Sequence, residues 1–478
     1  MNTYIEKSHH VHLTGFKGVA MASLAQCLHD LGKKLSGSDV AEQFVTENIL
    51  KQTEIQTTVG FDPQNIPKDT DLLIYTAAHQ GPNNPEVMWA REHQIQVLSQ
   101  AEALAELFNQ KKGIAVCGVG GKSTTSAMIT WIFSKLKMPI SFSVGVGSIA
   151  GLTKTGQSDF DSEYFVAEAD EYVIDPAAGQ RGEPITPRFS FLKPHIVVCT
   201  FLAFDHPDVY RDFDHTRAVF KEFFLQTKKN GILIINGDQP VLVALTDEVL
   251  LERDDLVALT YGVTIGTNFQ ITSVETEGQI SNSEIVRKNK KVLLQMSLAG
   301  KHNVMNAAAA LLALEVAGVD IQTAALTLSE FHSTARRFEY IGEKHGVLFY
   351  DDYAHHPREV GTMIQTIQSM YPESEVYIAF QPHTFSRTKA LFKEFVKELG
   401  TAQHLVLLPI FASAREQDDP SMSSKVLFEA IKKEFPTLDV TLLESTNDLS
   451  TFFTQLKPGS VAITLGAGDI YQVHDKIQ

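Results

Sequence analysis

The chain has 478 residues, more than one hydrophobic core usually supports, so two or three domains are expected. Its 44% hydrophobic and 21% charged residues are ordinary for a globular protein, and no run of about 18 apolar residues offers a membrane span. With 41 basic against 57 acidic residues and a net charge of −16, a broad nucleic-acid surface is excluded, and any anionic substrate must be held by local donors.

The opening residues MNTYIEKSHHVHLTGF show neither an export nor a transit pattern, so a cytoplasmic location is the expectation. HVHLTGF reads as a strand, Gly15 to Gly18 as a glycine turn, MASLAQCLHDLG as a helix stopped at Gly32, and KLSGSD as the end of a second strand. DLLIYTAA and IQVLS complete this first block. In the second, KKGIAVCGVGGKSTTSAMITWIFSKL reads as strand, loop and long helix, and the apolar runs YFVAEAD, HIVVCTFLAF and GILIING alternate with helices such as TRAVFKEFFLQT. Short alternating strands follow from about 250 to 298, and the helix NVMNAAAALLALEVAG closes the block. The third block repeats the α/β grammar with GVLFYDDY, EVYIAFQP, HLVLLPIF and SVAITLGAG, strand ends at which doubly wound sheets bind ligands. The expected boundaries are 1–112, 113–330 and 331–478. Cys27, Cys117 and Cys199 lack CxxC spacing and read as reduced core residues.

The most informative stretch is Gly118-Val119-Gly120-Gly121-Lys122-Ser123-Thr124-Thr125, which follows the strand IAVC and opens a helix. Glycines let the main chain approach phosphates closely; Lys122 can neutralise their charge, and Ser123 or Thr124 can ligate Mg²⁺. ATP is the natural ligand. The loop has the short form GxxGK[ST]T, and by itself it indicates nucleotide binding rather than a reaction. Gly15-Phe16-Lys17-Gly18 lacks the third spaced glycine of a dinucleotide fingerprint, which makes an NAD-dependent dehydrogenase a poor reading and leaves a diphosphate or an ordinary tight turn.

The short loop resembles that of the Mur ligase family, and further matches follow in order across nearly the whole chain. GFKGVAMASLA with SGSD is similar to the family's first domain, GKHNVMNA to its adenine-side helix start, and ARRFEYIGEKHGVLFYDDYAHHPREV with QPHTFSRT to its third domain. The resemblance implies three domains: a Rossmann-like N-terminal domain for a UDP substrate, a central P-loop ATPase-type domain with a mostly parallel sheet, and a Rossmann-like C-terminal domain for the amino acid. The implied reaction is ATP-dependent amide formation through an acyl-phosphate, with Mg²⁺ or Mn²⁺ as metal. DDYAHHP, QPHTFSRT and the late GAGDI resemble the members that join L-alanine to UDP-N-acetylmuramate, whereas EADEY with FDHPDVY resembles the recycling member that attaches an intact tripeptide. A nucleotide-binding protein without ligase turnover is the non-enzymatic alternative. A monomer or a homodimer fits equally.

Residue by residue, the resemblance implies Gly15, Gly18, Ser38 and Asp39 at the UDP substrate, and Gly118 to Thr124 at the triphosphate. Glu168 and His206, both following strand-like runs, are implied as metal ligands with Ser123 or Thr124. Asp170, Glu171, Asp205 and Asp208 rank behind them as supporting acids. Asn303 offers a donor and an acceptor that suit either adenine or a helix cap, and the order of family motifs points to adenine. Arg336 or Arg337 is implied at the γ-phosphate, Asp352 at the ribose or hinge, and Tyr353, His355, His383 and Arg387 at the amino acid. The chain departs from the family pattern where Phe201 and Ala203 replace a polar Asn and Glu, and where Thr384 stands in place of an arginine. Domain closure on the substrates is the expected mechanism.

Overall fold

The computed structural model describes residues 3–412, 416 and 419–477. Strands β1 (His10–Thr14), β2 (Lys34–Asp39), β3 (Gln56–Val59), β4 (Leu72–Tyr75) and β5 (Gln96–Ser99) form an all-parallel sheet in the order β3-β2-β1-β4-β5. The strand order reverses beside β1, so the turn after Thr14 opens at a switch point where α/β sheets hold ligands. Gly15 sits there at φ +77, and a Cβ on it would lie 2.4 Å from the Thr76 side chain beyond β4. The helix Val19–Asp30 follows, with Met21 to Leu28 buried.

The second sheet has ten strands: β6 (Lys112–Cys117), β7 (Ser141–Ser143), β8 (Gly156–Gln157), β9 (Tyr164–Glu168), β10 (Ile196–Cys199), β11 (Ile232–Asn236), β12 (Val257–Gly262), β13 (Phe269–Glu277), β14 (Ile280–Arg287) and β15 (Lys290–Met296). Its order is β15-β14-β13-β12-β11-β10-β6-β9-β7-β8, with β6 parallel to β9 and β10 at the centre and antiparallel pairs at both edges. The helices Lys122–Lys135 and Lys301–Val316 bury nearly continuous apolar surface; Ala307 to Ala310 are fully buried, and such small side chains let the two backbones come close. The run HIVVCTFLAF supplies a strand only as far as Cys199. From Thr200 the backbone turns to the glycine loop instead of a neighbouring strand.

The first two sequence blocks pack as one compact unit, comprising residues 1–204, 209–275 and 281–334. Buried polar groups join them. The Gln26 side-chain oxygen accepts from the N–H groups of Thr155 and Gly156 at 2.9 and 3.0 Å, and Ser23 shares a hydrogen bond with Ser143 at 2.8 Å. The second unit comprises 205–208, 276–280 and 335–478. Its sheet is built from β16 (Glu339–Lys344), β17 (Val347–Asp352), β18 (Val376–Phe380), β19 (His404–Leu407), β20 (Asp439–Leu442) and β21 (Val461–Leu465), in the order β16-β17-β21-β18-β19-β20, with β16 antiparallel and the rest parallel. Among the described residues no helix is long and apolar enough to cross a membrane, and the three cysteines are free and buried.

The seam between the first two blocks tolerates no added atom at Gly156, where a Cβ would lie 1.8 Å from the Ser23 carbonyl oxygen. Gly156→Ala should therefore cost about 3 kcal/mol through forced backbone displacement, read as a lowered unfolding midpoint in denaturant. An unchanged midpoint would show that the seam yields freely.

Candidate active site

The phosphate loop takes its shape from β6, which ends at Cys117, and from three glycines at positive φ: Gly118 (+119), Gly120 (+89) and Gly121 (+82). Any L side chain would be strained at these angles, and space forbids one as well. A Cβ at Gly118 would lie 2.5 Å from the Thr200 hydroxyl, and one at Gly121 would lie 2.4 Å from the Asn306 side-chain oxygen. The Val119 N–H donates to the Phe201 carbonyl at 2.7 Å, and the Thr200 hydroxyl donates to the Gly120 carbonyl at 2.6 Å. The helix beginning at Lys122 thus presents its N-terminal end with no side-chain cap, the arrangement that favours an anion.

Three acids end or follow β9, and each has a distinct partner. Glu168 accepts from the Ser123 hydroxyl at 2.9 Å and from the Gly145 N–H at 3.0 Å, so a hydroxyl and a carboxylate oxygen converge beside the loop. That hard-oxygen pair fits Mg²⁺ shared with phosphate oxygens. Thr124 is buried on the same helical turn. Asp170 pairs with Arg188 at 2.7 Å. Glu171, 2% exposed, meets the Lys122 ammonium with both oxygens at 2.8 Å. Burial pushes the Glu171 carboxyl up to about 7 against the pull of Lys122; burial opposes the Lys122 charge, but Glu171, Asp170 and Glu168 together raise its pKa. Asn303 is the third residue of its helix, whose cap is Gly300, and its amide nitrogen donates to the Ala299 carbonyl at 2.8 Å. It is therefore not a helix cap. A groove of about 510 Å³, lined by Val263, Ile265, Gln270 to Val274 and Lys301, lies by the start of that helix.

At the first glycine turn, the N–H of Gly15 is taken by the Ser38 carbonyl at 2.8 Å and that of Lys17 by the Asp39 carboxylate at 2.7 Å. Gly18 caps the following helix and has open space where a Cβ would be. Ser38 and Thr14 both donate to Glu86, a fully buried acid that sequence reasoning missed. Burial would raise the Glu86 carboxyl, but the bonds from His12, Ser38 and Thr14 bring it below its usual range. Its only sequence signal was a helix start at Asn84-Pro85, whose cap it follows.

In the second unit Arg336 is buried at φ +59 and donates to Asp351 at 2.9 Å, to the Gly468 carbonyl at 3.0 Å and to the Gly466 carbonyl at 2.5 Å. The ARR and GAGDI motifs are thereby stitched together, and this guanidinium is committed to the fold. Arg337 lies over the Tyr353 ring at 5.0 Å. Asp352 accepts from the N–H groups of Phe338 and Ala354, and burial raises it to about 7 although Arg337 opposes this.

Asp205 to Asp208 also belong to this unit. Arg387 donates to Asp205 at 2.7 Å and to the His383 carbonyl at 2.6 Å, with the His383 ring nitrogen 3.2 Å from the same terminal nitrogen. His355 lies 3.9 Å from Asp205, its ring centre 6.3 Å from that of His383 and 5.4 Å from that of Tyr353. Burial would raise the Asp205 carboxyl, yet Arg387, His206 and His355 hold it well below the carboxylate range. Burial and then Arg387 lower His355 to about 4, so its imidazole is neutral at physiological pH and a weak proton acceptor. The expected amino-acid residues Tyr353, His355, His383 and Arg387 therefore cluster. His206 lies in this unit at φ +56, with its ring 3.7 Å from Asp205, while Ser123, Thr124 and Glu168 lie in the other.

A P-loop and an ordered set of acids on one unit, with a histidine and arginine cluster on the other, define an ATP-using ligase framework. Three family profiles match the chain: the Mur ligase family catalytic domain over 10–112, the Mur ligase middle domain over 116–314, and the Mur ligase glutamate ligase domain over 336–468. The chain belongs to the Mur ligase family and has its three-domain α/β fold. It is 34% identical over 472 residues to the UDP-N-acetylmuramate--L-alanine ligase of Desulfitobacterium hafniense, covering 97% of this chain and 98% of that one. The enzyme of the same name from Bdellovibrio bacteriovorus is 33% identical over 460 residues, covering 96% of each. Among solved structures, the UDP-N-acetylmuramate-alanine ligase of Thermotoga maritima superposes with a TM-score of 0.77, and the murein peptide ligase of Psychrobacter arcticus with 0.72, each at 21% identity and over 98% of both chains.

The Asp205–Arg387 pair is buried on both sides. Arg387→Met should cost about 3–5 kcal/mol by removing the one guanidinium that pairs with the buried Asp205, and adding Asp205→Leu should recover part of that loss; a double-mutant cycle in thermal unfolding reads the coupling. A second expectation concerns pH. Burial holds His474 at about 4 against an ordinary 6.5, so between those values the unfolded chain binds the extra proton and stability falls as pH falls. His474→Gln should therefore gain unfolding midpoint relative to the parent as pH drops from 7 to 5, and a constant difference across the series would refute this.

Proposed function

We propose that the chain joins L-alanine to the carboxylate of UDP-N-acetylmuramate at the expense of ATP, in peptidoglycan synthesis. The observation that carries the reading is the strained glycine loop with Lys122, Ser123 and Glu168 at one strand-end cluster, in a chain that aligns end to end with ligases of that name. On this reading residues 1–112 bind the UDP substrate, 113–330 bind ATP and 331–478 bind the amino acid. The chemistry implies a cytoplasmic enzyme.

A carboxylate has no leaving group, so the γ-phosphoryl first passes to the UDP-N-acetylmuramate carboxylate and ADP departs. The amine then attacks the acyl carbon, phosphate leaves, and the nitrogen loses a proton. The chain's task in the first step is to neutralise two mutually repelling anions. Gly118 to Thr124 cradle the triphosphate, through the backbone N–H groups other than that of Val119, which the Phe201 carbonyl holds, and Lys122 supplies fixed positive charge. Mg²⁺, when bound, adds Lewis-acid stabilisation of the phosphoryl oxygens, and Ser123, Thr124, Glu168 and His206 are its proposed ligands. Of the two arginines, Arg337 suits the γ-phosphate, since Arg336 is held by Asp351 and two carbonyls. Asn303 is assigned to adenine, and Asp352 to the ribose or the hinge beside it. Gly15, Gly18, Ser38 and Asp39 are assigned to the UDP end.

In the second step Arg387 is assigned to the amino acid's carboxylate, which would have to share its guanidinium with Asp205 and the His383 carbonyl. His355, kept neutral by burial and by Arg387, shapes the space around the amine with His383 and Tyr353. The tripeptide-adding activity remains the second reading because the murein peptide ligase fold also superposes over nearly the whole chain.

Phosphate release by the full chain with ATP, Mg²⁺ and UDP-N-acetylmuramate should appear with L-alanine, yielding a product heavier by one alanyl residue. Release only with the L-Ala-γ-D-Glu-diaminopimelate tripeptide would transfer the protein to the recycling reaction. Silence with L-alanine, L-serine, glycine and tripeptide alike, despite ATP binding, would refute the ligase reading. Lys122→Ala should lower turnover about 10²-fold or more.

A further inference from the structure

We propose that Glu171 is the counter-ion that a nucleotide's phosphates must displace from Lys122, a positioning residue that sets ATP affinity rather than a group that reacts. The inference rests on the reading of Gly118–Thr124 as a triphosphate site. Both Glu171 oxygens meet the Lys122 ammonium at 2.8 Å, and the acid is 2% exposed. A phosphate can use that ammonium fully only by replacing at least one of these contacts, because an ammonium has three donors. The neighbouring acids are committed elsewhere, Glu168 to Ser123 and the Gly145 N–H, Asp170 to Arg188.

Glu171 cannot retreat by moving its backbone. The Ala169 N–H donates to the Val116 carbonyl at 2.8 Å, the Phe189 N–H to the Asp170 carbonyl at 3.0 Å, and the Arg188 N–H to the Tyr172 carbonyl at 2.8 Å. The buried Tyr210 hydroxyl also donates to the carbonyl of Glu171 itself. The segment is pinned on both sides, so the exchange must occur by rotation of the carboxylate away from Lys122. Net affinity for ATP is then the lysine–phosphate gain less the lysine–carboxylate loss, and the acid also fixes the lysine's rotamer over the loop.

A merely structural glutamate and a displaced counter-ion predict opposite signs. Glu171→Gln in the full chain should bind ATP with Mg²⁺ roughly tenfold more tightly in a calorimetric titration, the scale of one charge-assisted hydrogen bond. Glu171→Asp, which withdraws the carboxylate by one methylene, should tighten binding by a smaller factor and serves if the glutamine variant does not fold. In a Lys122→Gln background the Glu171→Gln gain should vanish. Equal or weaker ATP binding by the folded variants overturns the proposal, as does a gain that persists without Lys122. Failure of the parent chain to bind ATP at all would instead overturn the triphosphate reading beneath it.

Discussion

The nucleotide end of this molecule depends on how closely the backbone of Gly118 to Gly121 lies against Thr200, Phe201 and Asn306. A Cβ at either end of the turn would lie within 2.5 Å of a neighbouring oxygen, so only glycine permits the approach. The loop's N–H groups are aimed by that packing before any ligand arrives, which removes much of the ordering cost of binding an anion. Lys122 begins its helix directly after the third strained glycine, and Glu168 ends the adjacent strand, so one constraint on the main chain positions the charge, the hydroxyl and the carboxylate together.

A net charge of −16 repels anionic substrates at long range. The cations nearest the two sites are themselves held by buried acids: Lys122 has Glu171, Arg336 has Asp351 and Arg387 has Asp205, so an incoming anion must compete with a resident carboxylate. The three pairs differ in what else holds the cation. Arg336 is also held by two carbonyl oxygens, and it joins the ARR and GAGDI segments as a structural element. Arg387 shares itself between Asp205 and the His383 carbonyl, which orients its fork beside His355. Lys122, a point charge without a planar fork, is the one that can exchange a carboxylate for a phosphate once the Glu171 side chain rotates away.

The strand, glycine loop and helix grammar was legible in the sequence because it is local: apolar periodicity gives the element, and glycine gives the turn. The third-domain motifs were legible only through the family resemblance, because the contacts that join them are long-range: Gln381 of the QPHTF segment bonds Asp469 and Ile470 of GAGDI, and Arg336 bonds both of its glycines' carbonyls. Contacts without a local period were not legible. Gln26 bonds Thr155 and Gly156 across some 130 positions and helps merge two expected blocks into one compact unit. Glu86 gathers Thr14, Ser38 and His12 from two strands, yet in the sequence it is one acid at an ordinary helix start. The adenine assignment of Asn303 and the metal set likewise rest on family order, because residue type alone suits several roles.

The departure from the family pattern at Phe201 and Ala203 can be weighed physically. The path of this segment is fixed by groups that do not depend on either side chain. Asn236 donates to the Thr200 carbonyl at 3.1 Å, and the Gln239 amide bonds both the N–H and the carbonyl of Leu202, the first at 2.8 Å. The Phe201 carbonyl, which every residue possesses, is what receives the Val119 N–H. Replacing a polar side chain with phenylalanine at 201 therefore leaves the support of the phosphate loop intact and changes only the chemistry presented beside it. A polar residue at 201 carries a hydrogen-bonding group, whereas phenylalanine carries none. The backbone geometry of the glycine loop is thereby preserved whichever side chain stands at 201.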